Sequence, residues 1–182
     1  MTGQPGDSED VEQLLVAFAP RVYGLLLRMV GRSDVAEDLM QETLLRAFRS
    51  LETYRSEGKF RAWIFRIAVN LARDWIRRRP REPATGLDDD ASAAPAQAVL
   101  ARDVPPEADA LGRERRRGVE QALARLSDAD REVLLMRYYG DLTFKAIARA
   151  TGEPLGTVLA RAHRALRKLG DLIPEESHEP LP

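Results

Sequence analysis

Apolar residues return every three or four positions along most of this chain, the spacing of one buried face on a helix. No alternating run typical of strands stands out, and β-branched residues are sparse. The pattern predicts helices over residues 11–30, 34–51, 60–79, 113–126, 128–139, 144–150 and 154–169. Pro20 is expected to kink or split the first helix, and Gly170 to end the last. Asp34 with Glu37 is expected to open the second helix as a capping box.

The helical pattern is interrupted over residues 81–112, which are rich in Ala, Asp and Pro. We interpret this segment as a flexible linker between a first domain, residues 1–80, and a second, residues 113–173. The acidic, proline-containing residues 174–182 are predicted to be disordered. The predicted fold class is therefore all-α, with two small helical domains joined by a flexible acidic linker.

Charge is divided unevenly, although the whole chain carries a formal net charge of only −1. Counted along the chain, residues 55–81 hold 9 basic and 2 acidic groups, and residues 113–170 hold 13 and 7. Two basic blocks separated by an acidic linker predict two surfaces that face nucleic acid, whereas the acidic first 54 residues favour a protein partner. The alternative is that the arginine-rich helices are simply well solvated.

The composition excludes several classes of site. There is no cysteine, which excludes disulfides and zinc–thiolate sites, and the two histidines are too few for a histidine-rich metal site. The polar, acidic first residues do not resemble a signal peptide, and no apolar run approaches the roughly 20 residues that span a bilayer. We therefore expect no metal, no cofactor, no membrane insertion and a cytoplasmic location.

The last predicted helix carries one polar and one apolar stripe. The polar stripe, at positions i, i+4, i+7 and i+11, consists of Thr157, Arg161, Arg164 and Lys168. The apolar stripe consists of Val158, Ala162, Ala165, Leu166 and Leu169. A short helix precedes them across a turn that contains Gly152. This arrangement predicts a helix-turn-helix whose second helix enters the major groove, with arginines at guanine edges and phosphates.

Two earlier helices also carry polar stripes. On the second helix the stripe is Asp38, Gln41, Glu42, Leu45 and Arg49. The pattern alone favours an ordinary solvated face there, and docking onto another protein's helix is the alternative. On the third helix, Arg66, Asn70, Arg73 and Arg77 lie opposite the apolar stripe, and Trp63 flanks it. Basic residues interleaved with aromatic rings suit single-stranded or opened DNA, while core packing is the alternative for Trp63.

Three segments, in this order, resemble bacterial sigma factors of the extracytoplasmic-function (ECF) group, the small two-domain members of the sigma-70 family. They are residues 34–48 (DVAEDLMQETLLRAF), residues 60–79 (FRAWIFRIAVNLARDWIRRR), and residues 126–139 (LSDADREVLLMRYY) with the helix-turn-helix after them. The resemblance implies that residues 1–80 are sigma domain 2 and residues 113–173 are sigma domain 4. It also implies a promoter-specificity subunit of RNA polymerase rather than an enzyme.

The resemblance assigns roles to the three polar stripes. It implies contacts with the clamp coiled coil of the polymerase β′ subunit for Asp38, Gln41, Glu42 and Leu45. It implies contacts with the melted −10 element for Trp63, Arg66, Asn70, Arg73 and Arg77. It implies contacts with the double-stranded −35 element for Thr157, Arg161, Arg164 and Lys168. The further partners it implies are the β flap of core RNA polymerase and an anti-sigma factor.

Two positions depart from the family pattern, and two other classes of protein compete with this interpretation. Leu159-Ala160 stands where a basic or polar pair is frequent, and Lys145-Ala146 where an acidic residue is common, so both bear on which −35 sequence is read. An autonomous DNA-binding regulator would explain the helix-turn-helix but not the first two segments. A magnesium-dependent nucleic-acid-processing enzyme would need a convergent set of carboxylates, and the sequence offers none.

Overall fold

The computed structural model describes residues 5–51, 60–78 and 110–173. Within these ranges the chain forms helices and no strands, which confirms the predicted fold class. The seven helices are α1 (Pro5–Val30), α2 (Ser33–Arg49), α3 (Phe60–Arg78), α4 (Ala110–Ala124), α5 (Asp128–Tyr139), α6 (Phe144–Thr151) and α7 (Leu155–Leu172). The predicted linker lies outside the described residues except for its last three positions, which begin α4. The predicted tail also lies outside them.

Helices α1, α2 and α3 pack against one another and bury one face each. Their shared core contains Val22, Leu25, Leu26, Ile64, Phe65 and Ala68. Phe65 lies beside the apolar stripe of α3, yet its ring is fully buried and meets Phe18 edge-on. The core therefore occupies a wider face of α3 than the stripe indicated.

Helix α1 runs through Pro20 without being split. A proline has no N–H, so the carbonyl of Val16, four residues earlier, loses its helical donor. Val16 is strongly exposed, so water can bond that carbonyl in place of the missing donor. The cost of the proline is thus small enough for packing on both sides of it to keep one helix.

The Gln13–Val30 part of α1 is apolar and long enough, by composition, to cross a bilayer, and among the described residues it is the one such stretch. Its apolar side chains have partners inside the protein, however. Val22, Leu25 and Leu26 are fully buried where α1 packs against α2, α3 and α5. The apolar character of this stretch is that of a central core helix contacted on several sides.

Helix α2 begins differently from the prediction. It starts at Ser33, with Arg32 as the N-cap residue and no side-chain cap bond. The carboxylate of Asp34 accepts hydrogen bonds from the Arg32 guanidinium, with 3.1 Å between Nε and Oδ1. The predicted capping box is wrong because a neighbouring cation takes the carboxylate that would have opened the helix.

Helices α4 to α7 form the second domain. Ser127 caps α5 and Thr143 caps α6, each by accepting a hydrogen bond from a backbone N–H three residues later. Gly152, with φ of +73°, ends α6 and makes the tight turn into α7. Gly170 does not end α7, which continues to Leu172. Leu166, predicted on the buried face of α7, is exposed.

The two domains are docked, and their buried residues form one continuous core. The Tyr139 ring fills the space beside Gly24, where a Cβ atom would lie 2.6 Å from the ring. The guanidinium of Arg28 lies over the same ring, 5.3 Å from its centroid, and pairs with Glu120 at 3.1 Å. Burial raises the pKa of Tyr139 to about 12, so its hydroxyl stays neutral. Close apolar packing therefore joins α1 to α5.

Candidate nucleic-acid interface

The predicted polymerase-contact stripe lies on the surface of α2. Asp38, Gln41 and Leu45 are exposed, and Glu42 is half-buried in an ion pair with Arg46, with 2.6 Å between oxygen and nitrogen. The opposite face is held in the core by Ala36, Thr43 and Ala47. The stripe therefore combines two acidic groups, an amide and an apolar side chain on one accessible face of α2.

Three of the predicted −10 residues come together in one groove. Trp63, Arg66 and Asn70 line a depression of about 420 Å³ between α2 and α3. The other wall is formed by Arg46, Arg49 and Ser50 at the end of α2, which the sequence analysis did not assign to this site. The sequence does contain a feature that could have indicated this wall: two arginines lie in the last turn of α2, directly before the segment that leads into α3.

The groove has a floor that is partly aromatic and walls that are cationic. The Trp63 ring packs against Phe60, with 5.6 Å between centroids, and remains half-buried, so it is partly core and partly surface. Arg66 and Asn70 are exposed beside it. Arginines can hold phosphates, and an indole and an amide can stack on and hydrogen-bond to an unpaired base. The groove is therefore chemically suited to a single-stranded nucleotide.

The two remaining −10 candidates point elsewhere. Arg73 makes a two-pronged contact with Glu132 of α5, at 2.7 Å from Nε and 2.6 Å from an Nη atom. Arg77 is exposed and pairs with Asp74, one turn earlier on α3. The structure thus divides the predicted set: three residues share the groove, and Arg73 is engaged by the second domain.

Glu132, at the boundary between the two domains, is the most deeply buried acidic residue among the described residues. Its side chain is buried, and burial raises its pKa, although the Arg73 guanidinium opposes that shift. Glu132 and Glu153 lie in a cleft of about 330 Å³ with Arg73 and Arg161. One predicted DNA-binding arginine from each domain therefore meets acidic groups of the second domain in this cleft.

The predicted −35 stripe of α7 is largely bonded to its own domain. Arg161 pairs with Glu153, and Arg164 makes two hydrogen bonds to Asp130, at 2.9 and 2.7 Å. Those bonds lower the pKa of Asp130. Lys168 donates to the backbone carbonyl of Arg125. Of the four residues Thr157, Arg161, Arg164 and Lys168, only Arg161 is itself half-buried, and the others are exposed.

The outermost face of α7 carries a different set of residues. The buried side consists of Val158, Ala162 and Ala165. At 3.6 residues per turn, the opposite side carries Ala160, His163 and Arg167, all of them exposed. His163 and Arg167 were missed because the stripe was counted at helical spacing from Thr157. Both residues lie on the far side of the helix axis from the buried residues, so counting from the buried side would have identified them.

Comparison with known proteins matches each half of the chain to a known protein family region. The sequence profile of sigma-70 region 2 matches residues 14–82, and that of sigma-70 region 4 matches residues 116–169. The chain is 33% identical to the ECF RNA polymerase sigma factor SigE of Mycolicibacterium smegmatis over 98% of its own length and 67% of that protein. The chain belongs to the ECF RNA polymerase sigma factors.

Further similarities agree with this assignment. The sigma factor is 31% identical to SigW of Bacillus subtilis, over 90% of both chains. Its fold is similar to that of RpoE from Bartonella quintana, solved with the anti-sigma factor NepR, with a TM-score of 0.68, 23% identity and coverage of 90% and 96%. CnrH, solved with the cytosolic domain of CnrY, gives a TM-score of 0.61 at 24% identity, with coverage of 88% and 85%. As a sigma factor, the chain is a promoter-specificity subunit that directs transcription initiation.

Proposed function

We infer that this sigma factor binds core RNA polymerase through the exposed face of α2 and reads the −10 and −35 elements with two separate surfaces. The observation that carries this inference is the groove between α2 and α3, which brings Trp63, Arg66 and Asn70 together with two further arginines. Asp38, Gln41, Glu42 and Leu45 are the proposed contacts to the clamp coiled coil of β′. The reaction chemistry belongs to the polymerase.

The groove receives an unpaired base of the non-template strand. Stacking on Trp63 and hydrogen bonding to Asn70 replace the stacking that the base loses when it leaves the duplex, a loss of a few kcal/mol per base. Arg66 and the arginines at the end of α2 hold the adjacent phosphates. Capture of the base therefore favours the melted state of the −10 element over the paired state.

The second domain holds the double-stranded −35 element. Helix α7 follows a short helix and a glycine turn, the arrangement in which the second helix enters the major groove. Thr157, Arg164 and the outward Arg167 and His163 lie where they can reach base edges and phosphates. Arg161 and Lys168, like Arg164, contribute after giving up contacts within the domain.

The domains separate when both elements are bound. The names of the elements place them about 25 base pairs apart, or about 85 Å at 3.4 Å per pair. In the docked arrangement Arg73 of α3 and Glu132 of α5 are in direct contact. The roughly 30 residues between Arg78 and Ala110 reach about 100 Å when fully extended, so the chain is long enough for separation. Separation also releases Arg73 for the −10 element.

A cognate anti-sigma factor is the third proposed partner, and the proposed location is the cytoplasm, where RNA polymerase acts. Two structures with the same fold are complexes with an anti-sigma factor or with the cytosolic domain of CnrY. These complexes support a regulator that binds this chain as a protein partner. The relatives named RNA polymerase sigma factors support a location alongside core polymerase.

The test is transcription of a genomic promoter library by core RNA polymerase with and without this protein. The expected result is a set of protein-dependent transcripts whose promoters share a −35 and a −10 sequence. Arg66→Ala should remove most of them, while Arg21→Ala, at an exposed position of α1, should not. Promoter binding by the protein without core polymerase, and no association with core, would instead establish an autonomous DNA-binding regulator.

A further inference from the structure

One side of α7 is apolar and faces solvent. Leu155, Leu159 and Leu166 are 43%, 44% and 58% exposed. At about 100° per residue they lie roughly opposite the polar stripe that begins at Thr157. The polar stripe bonds extensively to its own domain, whereas the leucine stripe is outside the buried core. The helix therefore presents its apolar side, and not its paired arginines, without a cover among the described residues.

The position of two of these leucines connects the stripe with base reading. Leu155 is the first residue of α7, and Leu159 lies one turn later. In helix-turn-helix proteins the N-terminal part of the second helix contacts base edges. Ala160, beside Leu159, is small and exposed, so no long side chain at that position keeps Leu159 from the floor of a groove.

The chemistry of the major groove selects the partner of such a side chain. Leucine has no donor or acceptor, so against guanine, cytosine or adenine edges it would leave polar groups without hydrogen bonds. The C5-methyl group of thymine is the apolar feature of the major-groove edge. Arg167, exposed on the neighbouring face about 80° from Leu159, supplies positive charge that complements phosphates, which favours DNA over an apolar protein surface.

We propose that Leu159 is a specificity-determining residue that contacts the methyl group of a thymine in the −35 element. This inference rests on the proposed function of α7. The contact of Leu159 with the methyl group gives a preference for an A·T base pair at that position. An arginine at the same position of the helix would instead read guanine. The departure of Leu159-Ala160 from a basic or polar pair thus changes the kind of base contact and does not simply remove one.

The first experiment selects randomised −35 elements with holoenzyme assembled from core polymerase and the full chain. The wild type should enrich thymine at one position, and Leu159→Arg should shift that position toward guanine. Val119→Arg is the matched control, because Val119 is 40% exposed on α4 and the change adds the same charge away from α7. It should leave the selected sequence unchanged.

The second experiment isolates the methyl group. Each thymine of the selected −35 element is replaced by deoxyuridine, which differs only by the loss of that methyl. One replacement should weaken wild-type binding about fourfold, the effect of removing one buried methyl, and should have no effect on Leu159→Ala. A wild-type holoenzyme that binds and transcribes but is insensitive to every replacement would overturn the inference and leave the proposed function intact.

Two other outcomes also decide against the inference. If Leu159→Ala leaves promoter selection unchanged but weakens binding of a protein regulator, the leucine stripe is a protein-docking surface. If no variant of the holoenzyme binds any −35 sequence, the proposed function of α7 fails together with the inference that depends on it.

Discussion

The surface on α3 and the surface on α7 differ in what their basic side chains contact. In the groove beside α3, Arg66 is exposed and bonds no other described residue. On α7, Arg161 and Arg164 are bonded to carboxylates of their own domain. Both surfaces were assigned to DNA by the same kind of helical charge pattern. Arg66 of the groove is nevertheless unengaged within the described residues, although Arg46 beside it pairs with Glu42, whereas the paired arginines of α7 brace the helix in its domain.

The difference corresponds to the form of DNA that each surface meets. A single-stranded nucleotide is flexible and must be enclosed, so an open groove with exposed cations suits it. A duplex is stiff and is read by a helix held at a fixed angle, so bonds that fix α7 in its domain are useful even when they occupy arginines. Specificity on α7 then falls to its outward residues.

The largest expected effect comes from reversing a charge in the groove. Arg66→Glu should reduce promoter-dependent transcription on the order of 100-fold, because it removes a charge-assisted contact and adds repulsion toward phosphate. The melting temperature should stay unchanged, since Arg66 has no partner within the described residues. Run-off transcription and a thermal melt measure the two quantities. Arg66→Lys should retain most activity, and equal losses in both variants would contradict the assignment.

The next prediction separates bracing from base contact on α7. Arg164→Ala should weaken −35 binding about tenfold and also lower the melting temperature by about 2–4 °C, because Asp130 loses its partner. Arg167→Ala should weaken binding with no change in melting temperature. Holoenzyme binding to −35 duplexes and calorimetry provide the readouts. A melting temperature that is identical for both variants would show that the Asp130 contact does not brace the helix.

A smaller effect is expected from pH. We expect separation of the domains to expose Glu132 to water and to return its pKa toward the usual value. The docked state, in which burial outweighs Arg73 and raises that pKa, then binds the proton more tightly. Docking is therefore favoured as pH falls toward the usual value of 4.5 and is weakened as pH rises through the raised pKa. Because the chain contains no cysteine, dyes on cysteines introduced at the exposed Arg21 and Arg149 can report the distance between the domains by energy transfer.

The control for this titration is Glu132→Gln, which keeps the shape of the side chain and removes its proton equilibrium. Between pH 7 and pH 5 the transfer efficiency of the wild type should rise, and that of Glu132→Gln should stay flat. A rise of equal size in both proteins would assign the pH response to other groups.

The smallest predicted effect lies in the core, at Tyr23 of α1. The Tyr23 hydroxyl is buried and is the one buried side-chain polar atom among the described residues that has no hydrogen-bond partner. Tyr23→Phe should therefore raise the free energy of unfolding by about 1 kcal/mol. Denaturant unfolding measures the change, and transcription should be unaffected. A loss of stability would mean that the hydroxyl has a partner in solution.

Local features of the fold could be predicted from sequence, and long-range features could not. The helix spans follow from apolar spacing, and the Ser127 cap follows from residue type, because both depend on neighbours within one or two turns. The failures at Asp34 and Gly170 also depend on local competition, here with the Arg32 side chain and with the helical hydrogen bonds that continue α7 to Leu172. The contact between Arg73 and Glu132 joins positions 59 apart, which no periodic pattern reveals.

The sequence indicated which helices carry the candidate surfaces, but it did not indicate all of the side chains that form them. Trp63, Arg66 and Asn70 are brought together because they share one face of α3. The other wall of their groove comes from α2, and only packing of the two helices places Arg46 and Arg49 there. On α7 a charged stripe was taken for the outward face, while the buried Val158 and Ala162 place the outward face at His163 and Arg167.

The most direct test of the two-surface account is run-off transcription on a paired promoter and on the same promoter with a mismatched, unpaired −10 region. Unpairing the −10 region supplies the melted state, so it should rescue Arg66→Glu at least in part. It should not rescue Arg167→Ala, whose defect is in the paired −35 element. Equal rescue of both variants, or rescue of Arg167→Ala alone, would contradict the account.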